Sequence, residues 1–263
     1  MATGKVRVLV LRAPGINCDE ETVYAWQLAG ARAERLHVRR LIEKPERLDA
    51  YQVLTVPGGF SYGDDIAGGK ILAGQLEHHL GEAVAALLDR GGLVLGICNG
   101  FQVLVRMRLL PGPDDAPAVS MTLNDSGRYE DRWVRVRAEV SNCPFLAPGE
   151  TYHLPVAHAE GKLVVSGDGA GAAALADAGH IALRYVDSRG NPATYPENPN
   201  GSIENAAALV NDTGRVLGLM PHPERHIFPT HAPRGNGPIN PENRTAEDCD
   251  GLRIFRRAVG HFS

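Results

Sequence analysis

The chain has 263 residues and a mass of 28.2 kDa, with 43% hydrophobic and 22% charged residues, a composition that fills a core and excludes wholesale disorder. A net charge of −4 and a pI near 6.2 exclude the broadly basic surface that non-specific binding to nucleic acid or anionic membrane requires. No apolar run reaches the ~18 residues of a membrane helix, and the four cysteines are scattered without a CxxC pair, which fits a reducing cytoplasm better than a disulfide framework.

Residues 6–11, Val-Arg-Val-Leu-Val-Leu, form an apolar run suited to a buried parallel strand. The run is too short, and too broken by Arg7, for a secretion signal. Residues 19–29 read as a helix with Asp19, Glu20 and Glu21 at its positive end. Strands are predicted at 35–38 and 53–56, the second stopped by Pro57-Gly58-Gly59. Leu72, Leu76, Leu80, Val84 and Leu87 have helical spacing, so 71–88 is predicted helical. A strand at 93–97 and a helix over 99–110 complete this half.

Residues 133–140 alternate with period two, as a half-exposed antiparallel strand does. Further strands are expected at 151–157, 163–166, 181–186, 206–210 and 216–220. Residues 191–202 and 227–243 are rich in proline and read as loops, and 246–259 reads as a closing amphipathic helix. The predicted fold is α/β: a mostly parallel open sheet flanked by helices, with additional antiparallel strands in the second half. One domain is expected over 1–263, with the proline-rich loop and final helix in 227–263.

The sharpest motif is Gly96-Ile97-Cys98-Asn99-Gly100, between a strand and a helix. This is the nucleophile-elbow pattern with sulfur in place of oxygen. Glycines on either side permit a sharp turn and close packing. Cys98 would then sit at a helix N-terminus, where the dipole and free N–H groups favour thiolate. The Asn99 N–H faces the same point and could hold an oxyanion. The same pattern also suits a buried structural cysteine.

The second motif is Met220-Pro221-His222-Pro223-Glu224-Arg225. Pro223 disfavours helical geometry at His222, and residues two apart on an extended segment point the same way. His222 and Glu224 are therefore expected to project together, with the carboxylate fixing the imidazole's tautomer. The alternative is a turn carrying a surface ion pair of Glu224 and Arg225. Both motifs lie at C-terminal ends of predicted core strands, where open α/β sheets place their sites. The third motif, Pro57-Gly58-Gly59-Phe60-Ser61-Tyr62-Gly63-Asp64, exposes backbone N–H groups and could supply a second oxyanion donor from Gly59. A phosphate-loop reading fails, because Gly69 stands where lysine belongs and Ile71 lacks a hydroxyl. His222, His226 and His231 have finger-like spacing but no cysteine pair, and His78 and His79 fit a solvated helix face, so no metal site is expected.

Together these segments resemble the class I glutamine amidotransferases, and most narrowly the glutaminase subunits of phosphoribosylformylglycinamidine synthase. The runs 13–19, 58–64, 96–102, 124–129, 198–202 and 220–225 carry the resemblance, in order. The resemblance implies that Cys98 attacks the carboxamide of L-glutamine, with His222 moving the proton and Glu224 orienting His222. It implies oxyanion donors at Gly59 and Asn99, and glutamine contacts from Gly58, Phe60, Gln102, Ser126 and Arg128. It implies that ammonia passes to a synthetase subunit, which binds ATP and Mg and converts formylglycinamide ribonucleotide to formylglycinamidine ribonucleotide in purine biosynthesis. This chain would then carry no cofactor of its own, and a small third subunit could join the pair. Neither nucleic acid nor membrane is an expected partner. Rival readings are a cysteine hydrolase of another amide and a non-catalytic regulatory subunit. The segment 65–69 and Ala159 depart from the family's usual residues, and the proline-rich part of the tail is expected to pack on the synthetase or over the site.

Overall fold

A computed structural model describes residues 5–112, 116–233 and 249–263. The expected final helix and proline-rich loop therefore fall partly outside the described residues, at 234–248.

Four parallel strands build the first half: β1 (Arg7–Arg12), β2 (Arg32–His37), β3 (Val53–Val56) and β4 (Leu93–Ile97). Helices α1 (Asp19–Leu28), α2 (Val38–Ile42), α3 (Lys70–Asp89) and α4 (Asn99–Arg106) connect and follow them. β3 and β4 are wholly buried, as their continuous apolar sequences require. The second half adds β5 (Val119–Thr122), β6 (Glu130–Ala138), β7 (Thr151–His158), β8 (Lys162–Val165), β9 (Ile181–Val186), β10 (Ala206–Val210) and β11 (Val216–Leu219). It also holds α5 (Asp168–Asp177) and α6 (Asp250–Gly260).

Nine strands form one sheet in the order β2-β1-β3-β4-β11-β10-β9-β6-β7. Pairing is parallel from β2 to β11 and antiparallel from β11 to β7. β11, from the second half, is inserted beside β4 with Leu219 opposite Ile97. β5 and β8 form a separate antiparallel pair.

Several boundaries differ from expectation. The strand expected at 35–38 begins at Arg32, and Val38 opens α2, where His37 Nδ1 caps the Arg39 N–H at 3.2 Å. The helix expected over 99–110 stops at Arg106. α5 is an unexpected element, because its Gly-Ala sequence shows no apolar stripe; Ala172 and Leu175 are buried and Ala176 packs against the core. α6 starts at Asp250 and packs edge-to-face on α1 through Phe255 and Trp26, with centroids 4.9 Å apart. No helix among the described residues is long and apolar enough to cross a membrane.

Candidate active site

Three neighbouring strands deliver the three motifs to one place. Val56 of β3 lies opposite Gly96 of β4, and Ile97 of β4 lies opposite Leu219 of β11. The segments that follow, 57–59, 98–99 and 220–224, therefore leave the sheet side by side at its carboxyl edge. The 124 residues between Cys98 and His222 vanish as distance because β11 returns to pair with β4.

Cys98 caps α4, is 6% exposed, and has φ 51° and ψ −108°. The backbone strain of the elbow thus sits on the cysteine, where a β-carbon is disfavoured. Gly96 and Gly100 serve packing instead. A β-carbon at Gly100 would lie 1.8 Å from the Val56 carbonyl oxygen, and one at Gly96 would lie 2.6 Å from Leu104. The Cys98 N–H donates to the Leu219 carbonyl at 2.8 Å, tying the elbow to β11.

His222 and Glu224 are almost fully buried, and His222 Nδ1 is 2.6 Å from Glu224 Oε1. They do not lie on an extended segment as expected. Residues Pro223–Arg225 form a single 3-10 turn, with Pro223 at its first position, and this turn brings Glu224 back under His222. Nε2 of His222 is buried without a well-formed hydrogen bond, and the sulfurs of Cys98 and Cys18 are the ring's other polar neighbours. Burial opposes protonation of His222, but the Glu224 carboxylate and the two sulfurs outweigh it and hold the imidazole well above its ordinary range. The charged form of the ring is thereby favoured beside the Cys98 sulfur, which itself lies 3.8 Å from the Ala157 carbonyl oxygen.

Gly58 closes the space beside the ring. A β-carbon there would meet His222 Cε1 at 2.8 Å, Cys18 Sγ at 3.3 Å and Cys98 Cβ at 3.5 Å. Gly59 has φ +140°, and its position against Ile16 and Asn17 leaves no room for a side chain. No acceptor among the described residues takes the N–H of Gly59 or of Asn99. The Asn99 side chain binds the 58–69 loop to the elbow: its Oδ1 accepts from Ser61 N–H, and its Nδ2 donates to Asp64 Oδ1 at 2.9 Å. Phe60, within this loop, is 45% exposed.

Gln102 is buried, and its amide is committed internally. It donates to the Glu160 carbonyl at 2.6 Å and accepts from Asn99 Nδ2 at 2.9 Å. Ser126 and Arg128 line a separate cavity of about 520 Å³ together with Asp125, Thr194, Tyr195 and Asn198, and no triad residue lines it. The finger-spaced histidines go separate ways. His226 Nδ1 bonds the His153 carbonyl at 2.7 Å, and His231 packs on Phe228. His78 and His79 are both exposed on α3.

Two residues escaped sequence reasoning. Cys18 Sγ, a His222 ring nitrogen and a Glu224 oxygen lie within 4.8 Å of one another. Arg225 does not pair with Glu224. Its Nη2 donates to Cys18 Sγ at 3.1 Å and its Nε approaches Glu21 Oε1 at 3.4 Å. This guanidinium, together with the bond that occupies Glu224, disfavours a cation among the three donors. Nothing about Cys18 in the sequence distinguishes it from a buried helix-capping cysteine.

A family model described as the CobB/CobQ-like glutamine amidotransferase domain matches residues 5–262. The chain belongs to this family. Its relatives include the phosphoribosylformylglycinamidine synthase subunit PurQ of Dehalococcoides mccartyi, 41% identical over 97% of each chain. The subunit of that name from Methanococcus maripaludis is 38% identical over 98% of this chain and 97% of its own. Among solved structures, PurLQS from Thermotoga maritima matches with a TM-score of 0.73 and 29% identity, over 99% of this chain and 100% of that one. The α/β architecture and the amidotransferase resemblance read from the sequence are both borne out by these matches.

Proposed function

We propose that this chain is the glutaminase subunit of a phosphoribosylformylglycinamidine synthase. The observation that carries the reading is the buried His222–Glu224 pair, closed at 2.6 Å, beside a cysteine on a strained strand-to-helix turn. Relatives covering nearly the whole chain bear the name of that subunit.

In this reading Cys98 Sγ attacks the carboxamide carbon of L-glutamine. The oxygen becomes an oxyanion received by the N–H groups of Gly59 and Asn99. His222 gives its proton to the departing nitrogen, so ammonia leaves and a thioester remains on Cys98. His222 then takes a proton from water, which attacks the thioester and releases glutamate. Glu224 holds the ring through Nδ1 and stabilises its charged form. Gly58 and Phe60 contact glutamine, while Gln102 supports the loop around the site through its internal bonds. Ammonia passes to a synthetase partner that binds ATP and Mg, and a small third subunit completes the complex. The complex operates in the cytoplasm.

Glutamate release from L-glutamine, with and without the synthetase and its substrates, tests the reading. Release should rise sharply with the synthetase. Cys98→Ala should abolish glutamine-dependent synthesis while the complex still uses added ammonia. Glutamine-dependent turnover in that variant would exclude Cys98 as the nucleophile.

A further inference from the structure

A second thiol stands at the triad and takes no part in the steps above. Cys18 is 1% exposed and precedes the first turn of α1. Its backbone N–H donates to the Gly58 carbonyl at 3.3 Å, joining it to the loop that carries Gly59. Its carbonyl accepts both the N–H and the hydroxyl of Thr22, which fixes it to α1. Its sulfur lies 3.2 Å from Asn17 Oδ1 and accepts from Arg225 Nη2 at 3.1 Å. Arg225 follows Glu224 directly and reaches Glu21 on the same helix. Cys18 therefore joins the oxyanion loop through its N–H and the triad turn through Arg225, and its sulfur lies within 4.8 Å of a His222 ring nitrogen.

We propose that Cys18 is a positioning residue for His222, clamping the triad turn to α1 through Arg225 and filling the space against the ring so that Nε2 stays aligned with Cys98. The proposal rests on the glutaminase reading. The bonding pattern is that of a neutral thiol, which gives its proton to Asn17 Oδ1 and accepts from Arg225. Burial raises the Cys18 thiol above its ordinary range, which keeps it from competing with Cys98 as nucleophile. Without the sulfur, Arg225 loses an acceptor and a gap opens along the ring. Small misplacements of a proton-transfer group lower turnover more than substrate binding.

Glutamine-dependent turnover by the complex with the synthetase tests this, with the rate of Cys98 alkylation by iodoacetamide as a second readout. Cys18→Ala should lower kcat about tenfold and leave KM for glutamine within about twofold. Alkylation of Cys98 should slow by a similar factor, because a displaced His222 no longer supports the thiolate. Cys18→Ser keeps an acceptor for Arg225 and should restore most of the loss. Arg225→Gln removes the contact from its other end and should repeat the kcat effect, so the test survives if Cys18→Ala does not fold. Unchanged kcat and alkylation in Cys18→Ala or in Arg225→Gln would overturn the proposal, as would a loss confined to KM. Cys98→Ala runs beside them. Turnover surviving in Cys98→Ala defeats the glutaminase reading itself, whereas its loss there with full activity in Cys18→Ala defeats only the role of Cys18.

Discussion

At the scale of single residues, the strain at Cys98 makes a prediction separable from chemistry. Its φ of 51° and ψ of −108° are those of the first central residue of a type II′ turn, a position that favours glycine. A β-carbon held there costs on the order of 1–3 kcal/mol, part of which glycine returns in unfolded-state entropy. Cys98→Gly should therefore be more stable than Cys98→Ala by about 1 kcal/mol, or roughly 2–4 °C in Tm for a chain of this size. Both variants lack the sulfur, so thermal melts compare backbone alone. An alanine variant melting at or above the glycine variant would show that the elbow stores no strain. Glu224 acts on the reaction only through His222. Glu224→Gln keeps the shape but loses the charge that helps hold the imidazole protonated, and should lower glutaminase kcat at least about tenfold. Steady-state kinetics with saturating glutamine would measure this, and an unchanged kcat would remove Glu224 from the mechanism.

At the scale of elements, glycines divide by what surrounds them. Gly100→Ala would drive a β-carbon into the Val56 carbonyl and push α4 off β3, costing at least about 2 kcal/mol and moving Cys98 away from Gly59. Gly81 lies within α3 with nothing within 4 Å of its β-carbon position. Gly81→Ala should instead stabilise the chain by about 0.5–1 kcal/mol. Denaturant midpoints for the pair would test the contrast, and equal signs would refute it. The same distinction explains what the sequence made legible. α3 was readable because Leu72, Leu76, Leu80, Val84 and Leu87 mark one face, and all are buried. β6 was readable because Val134, Val136 and Ala138 alternate inward. α5 and α2 were not, since an alanine-rich helix and a five-residue helix carry no periodic signal. Cys98, His222 and Glu224 announced themselves by local motifs. The contact of Cys18 with Arg225 spans 207 residues and depends on α1 lying against the turn after β11. No spacing rule reaches that far.

At the scale of the whole molecule, the sheet binds the two halves through the β4–β11 pair, and its outer strands bury a histidine that should govern acid stability. His158 ends β7, opposite Glu130 of β6, and is 3% exposed. Its Nδ1 lies 3.0 Å from Asn124 Oδ1, and that same oxygen accepts the Gly161 N–H. The neutral ring therefore donates from Nδ1, while Nε2 is buried without a partner. Burial, helped by the positive charge on His222 and opposed by Glu130, lowers the His158 pKa to about 4 from an ordinary 6.5. The native state thus refuses a proton that the unfolded chain accepts. The sign follows from linkage: the contribution is whole above pH 6.5, falls away as pH drops toward 4, and changes no further below that. At 1.36 kcal/mol per pH unit, acidification from pH 7 to pH 5 should cost about 2 kcal/mol through this residue alone. His158→Gln can still donate to Asn124 but has nothing to titrate. Denaturant unfolding at pH 7 and pH 5 should show the wild-type chain losing about 2 kcal/mol more than the variant over that interval. Equal losses in the two chains would mean that His158 accepts its proton in the folded state, and that the pocket formed by Asn124, Gly161 and Glu130 opens to water before the sheet does.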